Sequence, residues 1–378
     1  MISIGYSWID DYKTLSSKDT ELKELYKEYS KKTIYNPEST DNVFSTQLET
    51  DDSHDRLLDI CVSAFTPGSY CCDNLGYCFI TSEPLKELGV KNFDALILKQ
   101  STKYAIFVEC KSSISSGEVT DGYKQIQEII SKKPYLEQQI GNEINTIDFV
   151  FCVRATKVQQ LAKQIEMVEK SKKIDSDKDP VFLLWQVEMF TEQTLQLVSK
   201  INISTRKKEY HLQHKDNELT KVLGKGMQIP ELEYIPRLYP SSNPYTQGRT
   251  VISKLFNEND INVRLRKHNI DDKKQEEIKK TITEKRVYDF FQSKNNITHY
   301  DSVNVGKNLA DHFIGESLNF GILKQVTSDS YLIDLEGKKL DTILNNYKKK
   351  YKENFLENQT KKKAYDEYLK MHPKLPGL

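Results

Sequence analysis

A chain of 378 residues with 37% hydrophobic and 10% aromatic side chains is long enough for two or three domains with proper cores. Its 55 basic and 55 acidic side chains cancel, so net charge singles out no polyanionic partner and the distribution has to be read instead. No apolar run approaches the ~18 to 20 residues of a membrane helix, and Met1-Ile2-Ser3-Ile4-Gly5 lacks a basic stretch followed by an apolar one; a cytoplasmic protein with no membrane partner is expected.

From the N-terminus, residues 1–50 read as a helical extension. Residues 38–59 hold seven acids (Glu38, Asp41, Glu49, Asp51, Asp52, Asp55, Asp59) against one base, Arg56, the pattern of an acidic, solvated helix entrance. Asp55 and Asp59 stand one helical turn apart there. His54 is a residue type that shuttles protons or binds metals, although a lone histidine more often does neither. Six cysteines (Cys61, Cys71, Cys72, Cys78, Cys110, Cys152) are too few for a disulfide framework. Cys71, Cys72 and Cys78 have no Cys-x-x-Cys pair or histidine to complete a zinc set, so free thiols are expected.

The most informative segment follows. Asp94 opens the apolar run Asp94-Ala95-Leu96-Ile97-Leu98, residues 99–103 make a turn, and Tyr104-Ala105-Ile106-Phe107-Val108 leads into Glu109-Cys110-Lys111. Alternation along the second strand sets Glu109 and Lys111 on one face, and a hairpin brings Asp94 beside them. Desolvated carboxylates need a compensating cation or hydrogen bonds. Asp94 and Glu109, with the main-chain carbonyl of Cys110, make the hard-oxygen set that suits Mg²⁺, with Mn²⁺ as a substitute. Lys111, flanked by negative charge, is favoured in its protonated form, suited to orienting water and neutralising charge on phosphorus.

Asp94 followed, after fourteen intervening residues, by Glu109-Cys110-Lys111 resembles the PD-(D/E)XK nucleases, the restriction-endonuclease-like superfamily, over roughly residues 50–200. Phe93 stands where the family usually has proline. The resemblance implies a nuclease core over 51–226, with a mixed central sheet flanked by helices and an α-β-β-β-α-β order. Val119, Tyr123, Ile126 and Ile130 recur at helical spacing, 146–154 reads as a strand, 158–170 as a helix and 180–187 as a last strand. The family also implies an acid on the first helix, for which Asp55 is preferred over Asp59, and a glutamine on the helix after the motif, here Gln125.

Pro230, Pro236, Pro240 and Pro244, interleaved with Tyr234, Tyr239 and Tyr245, break both periodicities, so 227–270 reads as a linker or an arm packed on another surface. A long helix is expected from Asp271 to Gln292, a second one carrying Val305, Leu309, Phe313 and Ile314, and then a hairpin of 321–326 with 331–335. Helices followed by a two-stranded ribbon resemble a winged helix-turn-helix over 271–337. That resemblance implies DNA contacts from Lys307, Asn308 and His312 on a helix and from Lys324 on the wing, or else a dimerising or bracing role. From Lys338 to Leu378 eleven lysines face five acids, a local net of +6, in a basic helix or tail suited to phosphate backbones.

The expected fold is therefore α/β (α+β): a restriction-endonuclease-like core plus a mainly helical, winged-helix-like C-terminal domain. The expected activity is Mg²⁺-dependent hydrolysis of double-stranded DNA by a restriction or phage-defence endonuclease. A homodimer follows if both strands are cut, and a cognate methyltransferase or other defence protein is a candidate partner. A repair, recombination or transposition nuclease, an RNA nuclease and a non-catalytic DNA-binding regulator are the alternatives.

Overall fold

The computed structural model describes residues 7–34, 37–172, 180–188, 193–198, 200–203, 208–229, 237–265 and 271–372. They fall into two compact units, one of residues 50–242 and 292–306, the other of 1–49, 243–291 and 307–378. Helices α1 (Ser7–Lys18), α2 (Thr20–Ile34) and α3 (Pro37–Ser63) open the chain, and a short helix α4 (Tyr70–Asp73) leads into strand β1 (Tyr77–Ser82). Strands β2 (Ala95–Lys99) and β3 (Tyr104–Lys111) form the expected hairpin, its turn closed by Lys103 in the left-handed region at φ 55°. Then come α5 (Ser116–Ile140), β4 (Thr146–Arg154), α6 (Val158–Lys172) and β5 (Phe182–Glu188). Strands β6 (Gln193–Leu197), β7 (Lys200–Ile203) and β8 (Lys208–His211), helix α7 (Asn217–Lys225) and strand β9 (Met227–Ile229) follow.

Seven of these strands make one mixed sheet, in the order β1-β2-β3-β4-β5-β6-β9. β3, β4 and β5 run parallel, and the pairs on either side of them are antiparallel. Parallel neighbours need a long crossover, which α5 and α6 supply. The start of α5 is fixed by Ser115, whose side chain accepts from the Glu118 amide at 3.2 Å. Val119, Tyr123, Ile126 and Ile129 of α5 and Leu161 and Ile165 of α6 pack on Leu96, Phe107 and Phe151 of one sheet face. Ile129 takes the inward place expected of Ile130, which is exposed. The opposite face carries Ile97, Ile106, Val108 and Cys152, covered by Leu57, Leu58 and Cys61 of α3 and by Leu219 and Leu223 of α7. The core is thus a mixed sheet flanked by helices.

The same unit ends in a return segment. Leu238 and Ile297 form a parallel bridge, Thr298 accepts from the Ser82 amide through its carbonyl (3.1 Å), and the Tyr300 amide donates to Thr81 Oγ1 (2.9 Å). Residues 292–306 therefore lie against the edge strand β1. Cys72 and Cys78 are joined as a disulfide between α4 and β1, which corrects the expectation that every cysteine is a free thiol.

In the other unit, α8 (Pro244–Leu265) and α9 (Asp272–Lys280) precede β10 (Thr281–Thr283), α10 (Glu284–Gln292), α11 (Ser302–Asn319), β11 (Leu323–Gln325), β12 (Ser330–Ile333) and α12 (Leu340–Met371). The described part of the stretch read as a linker thus holds β9 and α8. The single helix expected from Asp271 to Gln292 is interrupted: Thr281-Ile282-Thr283, all β-branched, pairs with β12 in a small sheet of order β10-β12-β11, with Ile282 fully buried. The basic segment becomes α12, whose buried Tyr347, Tyr351, Tyr365 and Tyr368 make it a packed helix. Its lysines divide between exposed Lys348, Lys349 and Lys350 and pairs such as Lys361–Glu357 and Lys362–Asp366.

Gly122 is where α5 approaches the sheet most closely: a Cβ there would lie 2.5 Å from Phe151 Cζ and 3.0 Å from Phe182 Cζ, in rings stacked 3.9 Å apart. Gly122→Ala is expected to destabilise by about 1–2 kcal/mol, overpacking outweighing the gain in helix propensity. Gly224→Ala in α7, where the added methyl meets nothing within 4 Å, should be neutral or stabilising. Urea unfolding of both variants checks this; equal effects would refute the close approach of α5.

Candidate active site

Strand register builds this site. Ser82 pairs with Ala95 and Ala95 with Val108, so the next residues, Glu83, Asp94 and Glu109, fall in line across the ends of β1, β2 and β3. The Glu83 amide donates to the Asp94 carbonyl at 3.1 Å, which extends the ladder by one step. Below this row both sheet faces are apolar, so the carboxylates are withdrawn from water with few alternatives for compensation.

Asp94 Oδ2 accepts from the Cys110 amide at 2.7 Å and lies 3.2 Å from His54 Nε2 of α3, whose Nδ1 faces Asp55 Oδ1 at 3.4 Å. Lys111 Nζ is 2.6 Å from Glu109 Oε1, and Gln125 Nε2 donates to the same oxygen at 3.1 Å and to the Asn92 carbonyl. The Glu109 side chain is only 5% exposed, and its Oε2 is buried with no hydrogen-bond partner. Glu83 pairs through Oε1 with Lys86 at 3.2 Å, and its Oε2 is likewise buried and unpartnered.

The charges follow from this packing. Burial pushes the Glu109 carboxyl up to about 7, the Asp94 charge acting in the same direction and outweighing Lys111 and Gln125. Burial also works against the charged form of Asp94, but the His54 charge and hydrogen bond, Lys111 and the Cys110 amide together hold it below the usual range. His54 is driven well above its ordinary value: burial opposes the imidazolium, and Asp94 and Asp55 overcome it. Lys111 rises to about 12, because Glu109 and Asp94 outweigh its desolvation. Glu83 is raised by burial and by Asp94, with Lys86 and His54 pulling the other way. At neutral pH the site holds two cations, Lys111 and His54, against a carboxylate row that is only partly ionised.

Asp94, Glu109, Lys111 and Gln125, singled out in the sequence, are brought together. Asp55 joins them at one remove, beside His54 and accepting from Ser242 Oγ at 2.8 Å. Asp59 is bound elsewhere, accepting from Tyr239 and lying 3.8 Å from Arg237. Cys110 lends its amide to Asp94, and its thiol faces the other side of the sheet, where the sulfurs of Cys61, Cys110 and Cys152 lie within 4.8 Å of one another, all buried. Nothing in sequence spacing signalled that cluster or Glu83, a glutamate in a turn before Pro84. In the other unit, Lys307 and Asn308 are exposed on α11, His312 on the same helix is half-buried, and Lys324 is exposed on β11. The all-oxygen set of Asp94 and Glu109, with its orphaned buried oxygen, fits a hard divalent cation, and a buried ammonium alone leaves it incompletely satisfied.

No protein-family model matches this chain, and no solved structure matches it. An uncharacterised protein of the archaeon Archaeoglobus fulgidus is similar, 21% identical over 321 residues that span 80% of this chain and 81% of that protein.

A raised carboxyl in the folded state contributes stability fully present below its ordinary value of 4.5 and lost as pH rises toward 7. In chelator, wild-type protein should therefore lose up to about 3 kcal/mol between those pH values relative to Glu109→Gln. Urea unfolding at several pH values reads this difference; parallel curves would mean that folding leaves the Glu109 carboxyl at its ordinary value.

Proposed function

We propose that this protein is a metal-dependent endodeoxyribonuclease of the restriction-endonuclease-like kind, acting on double-stranded DNA in the cytoplasm in a restriction or phage-defence setting. The observation that carries the reading is Glu109 Oε2, buried and unpartnered beside Asp94 and within a residue of Lys111. A buried carboxylate oxygen without a partner in the protein calls for one from outside it, and a hard divalent cation is the partner that the neighbouring Asp94 also favours. The helix α3, three antiparallel strands and the α5–β4 crossover are consistent with that family's core.

Asp94 and Glu109 would hold Mg²⁺, with the Cys110 carbonyl as a further oxygen. When bound, the cation supplies polarisation of the phosphodiester and a lowered pKa for water. The protein's own part is positional and electrostatic. Gln125 and Lys111 fix the rotamer of Glu109, His54 keeps Asp94 ionised, and the Lys111 ammonium faces the charge that accumulates on the phosphate oxygens during attack. A lysine raised to about 12 is a charge stabiliser and water positioner in this state, not a base.

The order α9, β10, α10, α11, β11, β12, with β12 between the other two strands, resembles a winged helix and supports a DNA-reading module with Lys307, Asn308 and Lys324 on its surface. One such site cuts one strand, so a double-strand break calls for a homodimer. The test is Mg²⁺-dependent cleavage of supercoiled plasmid, unmodified and modified, with an RNA control. Wild type should cut, and Glu109→Ala and Lys111→Ala, still folded, should each lose at least about 100-fold. No cleavage by the wild type, with salt-dependent DNA binding retained, would make the chain a binding module.

A further inference from the structure

The other face of the same strand end holds a cluster that the nuclease reading leaves unused. Cys110 and Cys152 are direct partners across the parallel pair of β3 and β4, and Cys61 comes to them from α3, so three elements distant in sequence bring their thiols to one point. Cys61 Sγ is 3.1 Å from Cys152 Sγ, and all three sulfurs lie within 4.8 Å of one another. Each of the three residues is 0% exposed. No other cysteine, histidine or carboxylate among the described residues joins the group. Without an ion the thiols pack as small apolar side chains. Packing alone does not call for sulfur at all three, because the preceding rung on that face, Val108 with Val150, is filled by valine.

Ligand softness and ligand number decide the ion. Thiolates select Cu(I), zinc or iron–sulfur clusters. Structural zinc is almost always four-coordinate; here no side chain supplies a fourth ligand, and the buried position offers no solvent contact for a water to do so. Iron–sulfur clusters likewise take four protein ligands. Cu(I), a soft monovalent d¹⁰ ion, is satisfied by three sulfurs. With metal–sulfur bonds of about 2.3 Å, a trigonal set has its sulfurs about 4 Å apart, which is within the observed span and requires Cys61 and Cys152 to part by about 1 Å. We infer that Cys61, Cys110 and Cys152 form a trigonal Cu(I) site. It is separate from the Mg²⁺ reading, because the Cys110 thiol turns to one face of β3 while its neighbours Glu109 and Lys111 turn to the other. A bound ion joins α3, the helix that carries His54, to β3 and β4. Copper therefore stabilises the folded chain by mass action, and each thiolate formed releases one proton.

Titration of the full chain with Cu(I) held by bicinchoninate, in ascorbate so that the Cys72–Cys78 disulfide stays intact, tests this. Wild type should take one Cu(I) per chain from the chelator, show three sulfur neighbours at about 2.3 Å by X-ray absorption, and melt at a higher temperature with copper than without. Cys61→Ser, Cys110→Ser and Cys152→Ser should each weaken binding by more than about 100-fold, beyond the loss of an outer-shell partner. Cys71→Ser, at a buried thiol outside the cluster, should bind as wild type does, and so should Glu109→Gln. Cys152→Val keeps the core apolar and filled, so it should fold as wild type does without copper and still lose the ion, which separates a missing ligand from a misfolded chain. No transfer from the chelator to wild type, two sulfur neighbours in place of three, or equal binding by wild type and Cys152→Val overturns the inference.

Discussion

Antiparallel pairing fixes one partner per residue on each neighbouring strand, and that restriction organises the acidic end of the sheet. Once the apolar runs of β1, β2 and β3 choose the register that buries alternate side chains on two helix-covered faces, the residue beyond each run has no freedom of placement. A slip by one residue would send Leu96, Leu98 and Phe107 to the opposite face and scatter the acids. The hydrophobic energy of the sheet therefore sustains a cluster of charges that would not assemble alone.

Compensation of those charges is divided among elements that share no local sequence. Lys111 comes from the strand, Gln125 from α5, His54 from α3 and Lys86 from the turn after β1. Lys111 and Gln125 share Glu109 Oε1, His54 faces Asp94 Oδ2 and Lys86 faces Glu83 Oε1, while Glu109 Oε2 and Glu83 Oε2 are left without a partner. The three thiols beneath, on the other face, add no charge-balancing partner to the carboxylates; they fill space between α3, β3 and β4.

Much of this was legible in the sequence because it depended on short-range pattern. The hairpin, the helix after it, the two later strands and the trio Asp94, Glu109 and Lys111 all rest on alternation, helical spacing or adjacency. The failures have equally physical causes. Thr281-Ile282-Thr283 was read as helix because its neighbours carry helical periodicity, and only pairing with β12, fifty residues on, makes it a strand. The placement of Glu83 beside Asp94 was invisible because it comes from cross-strand register and a left-handed backbone, neither of which leaves a composition signal. The Cys72–Cys78 pair depended on how α4 folds back on β1.

The long return to β1 has a consequence for biosynthesis. Residues 297–300 clamp the strand that carries Glu83, and Tyr239 and Ser242 hold Asp59 and Asp55 on the helix that carries His54. A ribosome delivers those segments long after the sheet they secure, so a nascent chain carries Asp94, Glu109 and Lys111 well before it carries a finished site. Chains that stop early in translation are thereby left incomplete at this end of the sheet.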